Sequence, residues 1–209
     1  KLWDTYTGVG FGQAPRLDFP GAVTGRLRPP KTWKPIEQAT MAYGHGISVN
    51  LVQLARAYTV FSSDGELKPV SLLKSGGVVA GRPVLKAETA RAVRHMLELA
   101  VGPGGTAPKA QVPGYRVAGK TGTAHKLEGR GYTNKYVSSF VGFAPASGPR
   151  LIVAVMIDEP SAGGHYGGVV AAPVFSTVMG AALRTLGTPP DAPGGNVILP
   201  PEGSAVREE

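Results

Sequence analysis

Two apolar, β-favouring runs, Tyr136 to Phe143 and Leu151 to Ile157, are joined by the turn-type stretch Ala144-Pro145-Ala146-Ser147-Gly148-Pro149 and Arg150. Two parallel strands need a crossover of about a dozen residues or more, so this short turn-type connection makes the runs an antiparallel hairpin. A third strand candidate lies upstream at Gly114 to Thr123, Gly-Tyr-Arg-Val-Ala-Gly-Lys-Thr-Gly-Thr. Tyr115, Val117 and the threonines favour extended chain, and Gly119 and Gly122 let another backbone or a ligand come close. Such a strand suits a carboxylate: Lys120 supplies charge, Thr121 and Thr123 supply donors, and the Gly122-Thr123 backbone is open for N–H contacts.

The same residues fit two chemistries. Gly114 to Thr121 matches G-x-x-x-x-G-K-[ST], the phosphate loop of NTPases, and Leu151 to Glu159 imitates the apolar strand whose terminal acids would hold magnesium. Lys120-Thr121-Gly122 is equally the Lys-Thr-Gly motif of penicillin-recognising enzymes. A phosphate loop requires a buried strand before it and a helix opening at its Lys-Thr. Pro103 to Pro113 is too rich in Gly and Pro for the strand, and Ala124 to Asn134 has no apolar residues at helical spacing. The NTPase is therefore the weaker alternative.

The 209 residues suffice for one good-sized core or a large part of a bigger domain. No run approaches the length of a membrane span, and the start carries no targeting signal, so any anchor is expected outside this sequence. Zero cysteines exclude disulfides and thiolate zinc sites without fixing a compartment. A net charge of +8 favours an anionic partner or surface. Nucleic acid is disfavoured: Arg16, Arg26, Arg28, Lys31 and Lys34 lie among prolines rather than on one helix face, and no nucleic-acid motif occurs.

In chain order, Lys1 to Thr7 reads as the end of a helix, and Gln13 to Pro35 as a long connection. An amphipathic helix follows, with Leu51, Leu54, Ala55 and Tyr58 inward, Ser48 at its N-cap and Asp64-Gly65 as its stop. Leu67 to Leu73 and Val78 to Val84 suggest short strands around Gly76-Gly77. Ala87 to Ala100 is a second helix with Val93, Met96, Leu97 and Ala100 inward. Pro173 opens a last helix with Val174, Val178 and Ala182 inward, ended by Gly187. Thr188 to Glu209, rich in Pro, Gly and acids, is expected to be a poorly ordered tail.

Ser71-Leu72-Leu73-Lys74 and Ser48-Val49-Asn50 spell the short nucleophile and relay motifs of penicillin-recognising enzymes. Both read as decoys. A nucleophilic serine should open a helix so that its lysine returns beneath the hydroxyl one turn later, whereas Ser71 follows Pro69 in a strand-like run. His95 reads as a helix surface residue, and no two histidines have metal-ligand spacing on a shared helix. His45, His125 and His165 lie in or beside Gly-rich loops, where ligand contact competes with simple solvation. Asp158 and Glu159 are expected to end a strand in solvent or meet a basic neighbour, and Tyr136 and Tyr166 fit core edges and pocket walls equally.

Taken together, Val112 to Ala124, Gly142-Phe143-Ala144-Pro145-Ala146, Ile157-Asp158-Glu159-Pro160, and Tyr166-Gly167-Gly168 leading to Ala172-Pro173-Val174-Phe175 resemble the C-terminal half of class B penicillin-binding proteins, nearest the division-specific FtsI or penicillin-binding protein 3 type. Tyr43 to Val49 and Gln53 to Tyr58 fit the same family. The resemblance spans about residues 1 to 190 in order and spacing.

It implies an α+β fold of the penicillin-binding transpeptidase and serine β-lactamase kind, a five-stranded antiparallel sheet flanked by helices, with residues 1–187 as the C-terminal portion of the transpeptidase domain and 188–209 as the tail. In that family Ser-x-x-Lys and Ser-x-Asn precede Lys-Thr-Gly, so nucleophile, base and relay serine are expected in an upstream part of the same protein. The catalytic contribution here would be Lys120, Thr121, Gly122 and Thr123. Lys120 would orient the relay serine, the Thr121 and Thr123 hydroxyls would bind the carboxylate of a D-Ala-D-Ala stem peptide or a β-lactam, and the Thr123 N–H would be half of the oxyanion hole. His125, His165, Tyr166 and Gly167 would line the cleft. The resemblance further implies no metal or cofactor, a periplasmic domain of an inner-membrane protein whose anchor is absent from this chain, and divisome membrane proteins as partners. Two function classes follow: part of a septal D,D-transpeptidase, or a non-catalytic sensor holding a cell-wall peptide or β-lactam.

Overall fold

The computed structural model describes residues 1–17, 19–74, 76–129 and 131–192, and the chain forms two compact units, 1–87 and 88–209. In the first unit α1 (Leu2–Gly8) is followed by the long connection, a 3-10 turn at Pro30–Thr32, α2 (Pro35–Met41), α3 (Leu51–Ser62) and a two-stranded ribbon, β1 (Glu66–Leu67) with β2 (Arg82–Pro83). Val9, Phe11, Ala57, Val60 and Leu67 form a small core. The connection is secured by polar contacts: the Gln53 amide donates to the Gln13 carbonyl at 2.7 Å and the Thr24 carbonyl at 2.8 Å.

Several expectations for this unit need correction. Helix α2 escaped the sequence reading; Pro35 opens it and the Glu37 carboxylate accepts the Lys34 N–H at 2.7 Å. Asn50, not Ser48, caps α3, its side chain accepting the Gln53 N–H at 2.7 Å while Gln53 Oε1 accepts the Asn50 N–H at 2.9 Å. Ser48 instead pairs with Arg26 in an isolated bridge. The buried residues of α3 are Gln53, Ala57 and Val60, whereas Leu51 is exposed, because the Gln53 amide must face inward to reach the loop carbonyls. Strand pairing after α3 involves two residues on each side; Pro69 lacks an N–H to pair, and Leu72, Leu73 and Val78 point to solvent. The Ser71 hydroxyl bonds back to the N–H and the carbonyl of Leu73, both at 3.0 Å, and no helix starts there.

The second unit holds α4 (Ala87–Val101), a 3-10 turn at Pro108–Ala110, then β3 (Ala118–Glu128), β4 (Gly131–Ala144) and β5 (Leu151–Asp158), with α5 (Gly167–Val170) and α6 (Ala172–Thr185) closing it. The strands form one antiparallel sheet in the order β3-β4-β5, with Lys120 opposite Val141, Thr123 opposite Ser138 and Val141 opposite Ala154. The six-residue turn thus makes the hairpin its length requires. The motif strand begins later than Gly114 and runs on past Thr123 to Glu128, with an irregularity between His125 and Leu127.

Period-two patterning explains the core. Leu151, Val153, Val155 and Ile157 of β5 line the face packed on the core, while Met156 between them is exposed. The end of the central strand is buried throughout, Phe140 to Ala144, hence its continuous apolar run. Phe140 meets Phe175 of α6 edge to face, with ring centroids 4.6 Å apart. A Cβ at Gly119 would stand 2.4 Å from the Phe140 ring, so only glycine lets that ring lie over β3.

The inward face of α6 is Phe175, Met179 and Leu183; the expected Val174 and Val178 are exposed. Both sets satisfy helical spacing, and the bulkier one takes the core. In α4, Ala90 and Val101 are buried and Met96, expected inward, is exposed. By length and composition Gly167–Thr185 would suit a membrane span, but Phe175, Met179 and Leu183 belong to this core. Of the stretch 188–209, Thr188 to Ala192 pack back onto the unit: Thr188 is buried, and the Asp191 carboxylate accepts the Arg116 N–H. Residues 193–209 lie outside the described ones.

Candidate active site

Strand β3 stands at one side of its sheet, and among the described residues only β4 pairs with it, so alternate backbone groups of the motif face away from the sheet. Lys120 Nζ lies 3.0 Å from the Thr121 hydroxyl and 3.4 Å from that of Thr106, and the Thr121 hydroxyl donates to Thr106 at 3.2 Å. Thr106, on the connection after α4, is a site neighbour that the sequence reading missed. Its only signal is a hydroxyl after Gly104-Gly105.

Thr121, Thr123 and His125 share one face of β3, two residues apart. Above them the start of α5 comes very close. The Gly167 N–H donates to the Thr123 hydroxyl oxygen at 3.1 Å, and a Cβ at Gly167 would stand 2.4 Å from the Ser139 carbonyl oxygen and 2.8 Å from that of Gly122. A hydroxyl that already accepts keeps its own proton for another acceptor. The Thr123 O–H is thereby poised to donate. Gly122 is crowded as well, since a Cβ there would lie 2.6 Å from the Ser139 hydroxyl.

Further along the same face four rings adjoin one another. The His125 and Tyr136 centroids are 4.4 Å apart, Tyr136 and His165 stack at 3.8 Å and 14°, and Tyr166 follows at 4.5 Å from His165. The Ser138 hydroxyl donates to the His165 carbonyl, tying the loop before α5 to β4. His125 Nδ1 lies 2.9 Å from the Thr133 carbonyl oxygen. Tyr136 is thus a wall of rings on this face rather than a core edge. The structure brings Thr121, Thr123, His125, His165, Tyr166 and Gly167 together on this face, with Lys120 reaching Thr121 from the neighbouring strand position. His45 belongs to the first unit, and His95 is an exposed residue of α4.

Asp158 and Glu159 meet a cation, as expected. Lys126 Nζ lies 2.9 Å from Asp158 and 2.7 Å from Glu159, which takes a left-handed backbone conformation at φ 50°. Hydrogen bonding to Lys126 holds the Glu159 carboxyl below its ordinary range, and bonding to Glu159 and then Asp158 raises the Lys126 ammonium. These acids are paired with a lysine, and among the described residues no three His, Cys, Asp or Glu cluster as metal ligands. After Lys120-Thr121 the chain continues as strand to Glu128, so the helix N-terminus of a phosphate loop is absent there.

The comparisons with known proteins agree. The model of the penicillin binding protein transpeptidase domain matches residues 1–180. A Neisseria flavescens relative named "probable peptidoglycan D,D-transpeptidase PenA" is 49% identical over 197 residues, 94% of this chain and 49% of the relative. The peptidoglycan D,D-transpeptidase FtsI of Escherichia coli K12 is 44% identical over 193 residues, 91% of this chain and 33% of the relative. The chain therefore spans between a third and a half of the length of these relatives. The apo transpeptidase domain of Burkholderia pseudomallei penicillin-binding protein 3 superposes with a TM-score of 0.87 at 57% identity, covering 91% of this chain and 59% of that one. The matched span includes the edge strand bearing Lys120-Thr121-Gly122-Thr123 and the antiparallel sheet behind it: the chain belongs to the penicillin-binding protein transpeptidase family.

Proposed function

We propose that this chain supplies the carboxylate-binding wall of a serine D,D-transpeptidase that cross-links septal peptidoglycan and is acylated by β-lactams. The nucleophilic serine, its lysine and the relay serine stand in the upstream part of the same domain. In the reaction that serine attacks the carbonyl between the terminal D-alanines of a stem peptide, D-alanine leaves, and an amine of a second stem peptide takes the acyl group. Lys120 adds positive potential and orients the relay serine. Thr121 and Thr123 donate to the substrate's terminal carboxylate, and the Thr123 N–H serves the oxyanion. His125, His165, Tyr166 and Gly167 flank the bound peptide. The protein works on the periplasmic side of an inner membrane, anchored by a segment outside this sequence and alongside divisome membrane proteins.

The observation that carries this reading is the Thr123 hydroxyl, held by the Gly167 N–H at 3.1 Å on the lysine-bearing edge strand. In a protein joining this chain to the upstream half of the domain, Thr123→Val removes one charge-assisted donor and leaves the backbone N–H in place. A hydrogen bond to a charged group is worth about 1.5 to 3 kcal/mol, so penicillin acylation is expected to slow about ten- to a hundredfold. Lys120→Ala is expected to lose more, because it removes charge and orientation together. Stopped-flow acylation of both variants, with melting curves to exclude unfolding, is the check; unchanged rates at wild-type stability sink the assignment.

A further inference from the structure

The last described residues are bound back to the approach of the motif strand. After α6 the Gly187 N–H bonds to the Arg184 carbonyl and the Thr188 N–H to the Leu183 carbonyl, both at 3.0 Å, a Schellman closure that reverses the chain. Pro189 and Pro190 follow, each with a fixed φ, so the returning segment loses little freedom on ordering. Tyr115 donates its hydroxyl to the Thr188 carbonyl at 2.7 Å, and the Ala192 N–H donates to the Gly114 carbonyl at 3.1 Å.

Asp191 is the centre of the contact. One carboxylate oxygen accepts the Arg116 N–H at 2.7 Å; the other accepts the Ser147 N–H at 3.1 Å and the Ser147 hydroxyl at 2.6 Å. Arg116 is held on its other backbone group too, since its carbonyl accepts the Ala146 N–H at 2.8 Å. The Arg116 guanidinium meets the Glu98 carboxylate of α4 at 2.8 to 3.0 Å. Arg116 stands two residues before β3 and four before Lys120, and Ser147 lies in the turn joining β4 to β5. One carboxylate thus bridges the entrance of the motif strand to the turn at the same end of the sheet.

We propose that Asp191 is a positioning residue: its bridge between Arg116 and Ser147 fixes the strand on which Lys120, Thr121 and Thr123 meet the substrate carboxylate. The proposal rests on the function proposed above and adds to it a residue that never touches the substrate. It follows from distance and chemistry. Three donors converge on a single anion, which makes the joint stiff, and a small misplacement of groups that must meet a reacting molecule is costly in rate.

The test uses a protein that joins this chain to the upstream half of the domain, comparing wild type, Asp191→Ala and Asp191→Asn at a temperature where all are folded. Two readouts are taken: acylation by benzylpenicillin and by its carboxyl methyl ester, and hydrogen exchange along residues 114–123. Asp191→Ala is expected to slow acylation by the free acid about tenfold or more and by the ester several-fold less, because the ester needs the Thr123 N–H and Lys120 but has no carboxylate for the two threonine hydroxyls to grip. Asn, which keeps one accepting oxygen, should fall between. Exchange should rise across 114–123 and stay level in β5 and α6. A lowered melting temperature with unaltered acylation, an equal loss for acid and ester, or unaltered exchange at 114–123 each overturns the positioning role. If wild type shows no preference for the free acid, the carboxylate wall itself is wrong, and the proposal falls with it.

Discussion

The two halves of the β3–β4 hairpin are held by different forces. At its base, Ala118 to Thr123 lie opposite Ser138 to Phe143, with the Phe140 ring over Gly119 and Gly167 against the carbonyls of Gly122 and Ser139. Toward the tip Leu127 and Tyr132 are exposed, and solvated ion pairs join the strands: Lys126 with Asp158 and Glu159, Lys135 with Glu128, beside a hydrogen bond from Thr133. Burial and close backbone approach fix atoms far more tightly than solvated charges do. The lysine and threonines of the motif stand at the rigid base, and the ring of His125 marks where the hairpin passes into its looser half.

That contrast can be broken at several points. The largest expected effect is Phe140→Ala, which empties the contact between β3 and α6. Removing a buried phenylalanine costs about 3 to 5 kcal/mol, and chemical denaturation should read it. A loss below about 1 kcal/mol would mean the base is not held by burial. Next comes Gly167→Ala, whose new methyl must displace the Ser139 or Gly122 carbonyl. Overpacking of this kind costs about 1 to 3 kcal/mol, and the shift should also lengthen the bond to Thr123 and slow acylation. Wild-type stability and rate together would show that α5 is free to move.

The smallest effect belongs to the tip. Glu159→Gln should lower stability only slightly, and added salt should erase the difference. Its sign with pH is fixed. The Glu159 carboxyl is held low, so its contribution is full above the unfolded value of about 4.3 and fades as pH falls through the folded value below that. The Lys126 ammonium is held high, so its contribution is full below about 10.4 and fades only as pH rises through a still higher folded value. Wild type and variant should therefore differ by a constant amount between about pH 5 and 9 and converge in acid. A gap that widens in acid would assign the contact to something other than this pair.

The second unit was largely legible in the sequence because its elements follow simple periods. Leu151 to Ile157 alternates, the turn before it is short, and the resemblance gathered Lys120, Thr123, His165 and Gly167 into one site. Helix faces were harder. Val174 and Phe175 open adjacent stripes of α6, and packing against Phe140, far along the chain, decides which goes inside. In the first unit Gln53 defeats any apolar-stripe rule, since a buried amide serves carbonyls 29 and 40 residues away. Thr106 carries no local signal beyond a hydroxyl after two glycines, and Asp191 carries none. Each matters through partners far along the chain, and spacing encodes only near neighbours.

One feature of Lys120 bears on encounter rather than on bound geometry. Among the described residues, the oxygens within hydrogen-bonding reach of its ammonium belong to the hydroxyls of Thr106 and Thr121 and the Thr121 carbonyl, all uncharged. A cation ringed by neutral dipoles keeps its field, and at physiological salt that field extends about 8 Å before mobile ions damp it. An anion diffusing past would be drawn toward the strand before any hydrogen bond forms, so capture should weaken with ionic strength even where the grip, once made, does not.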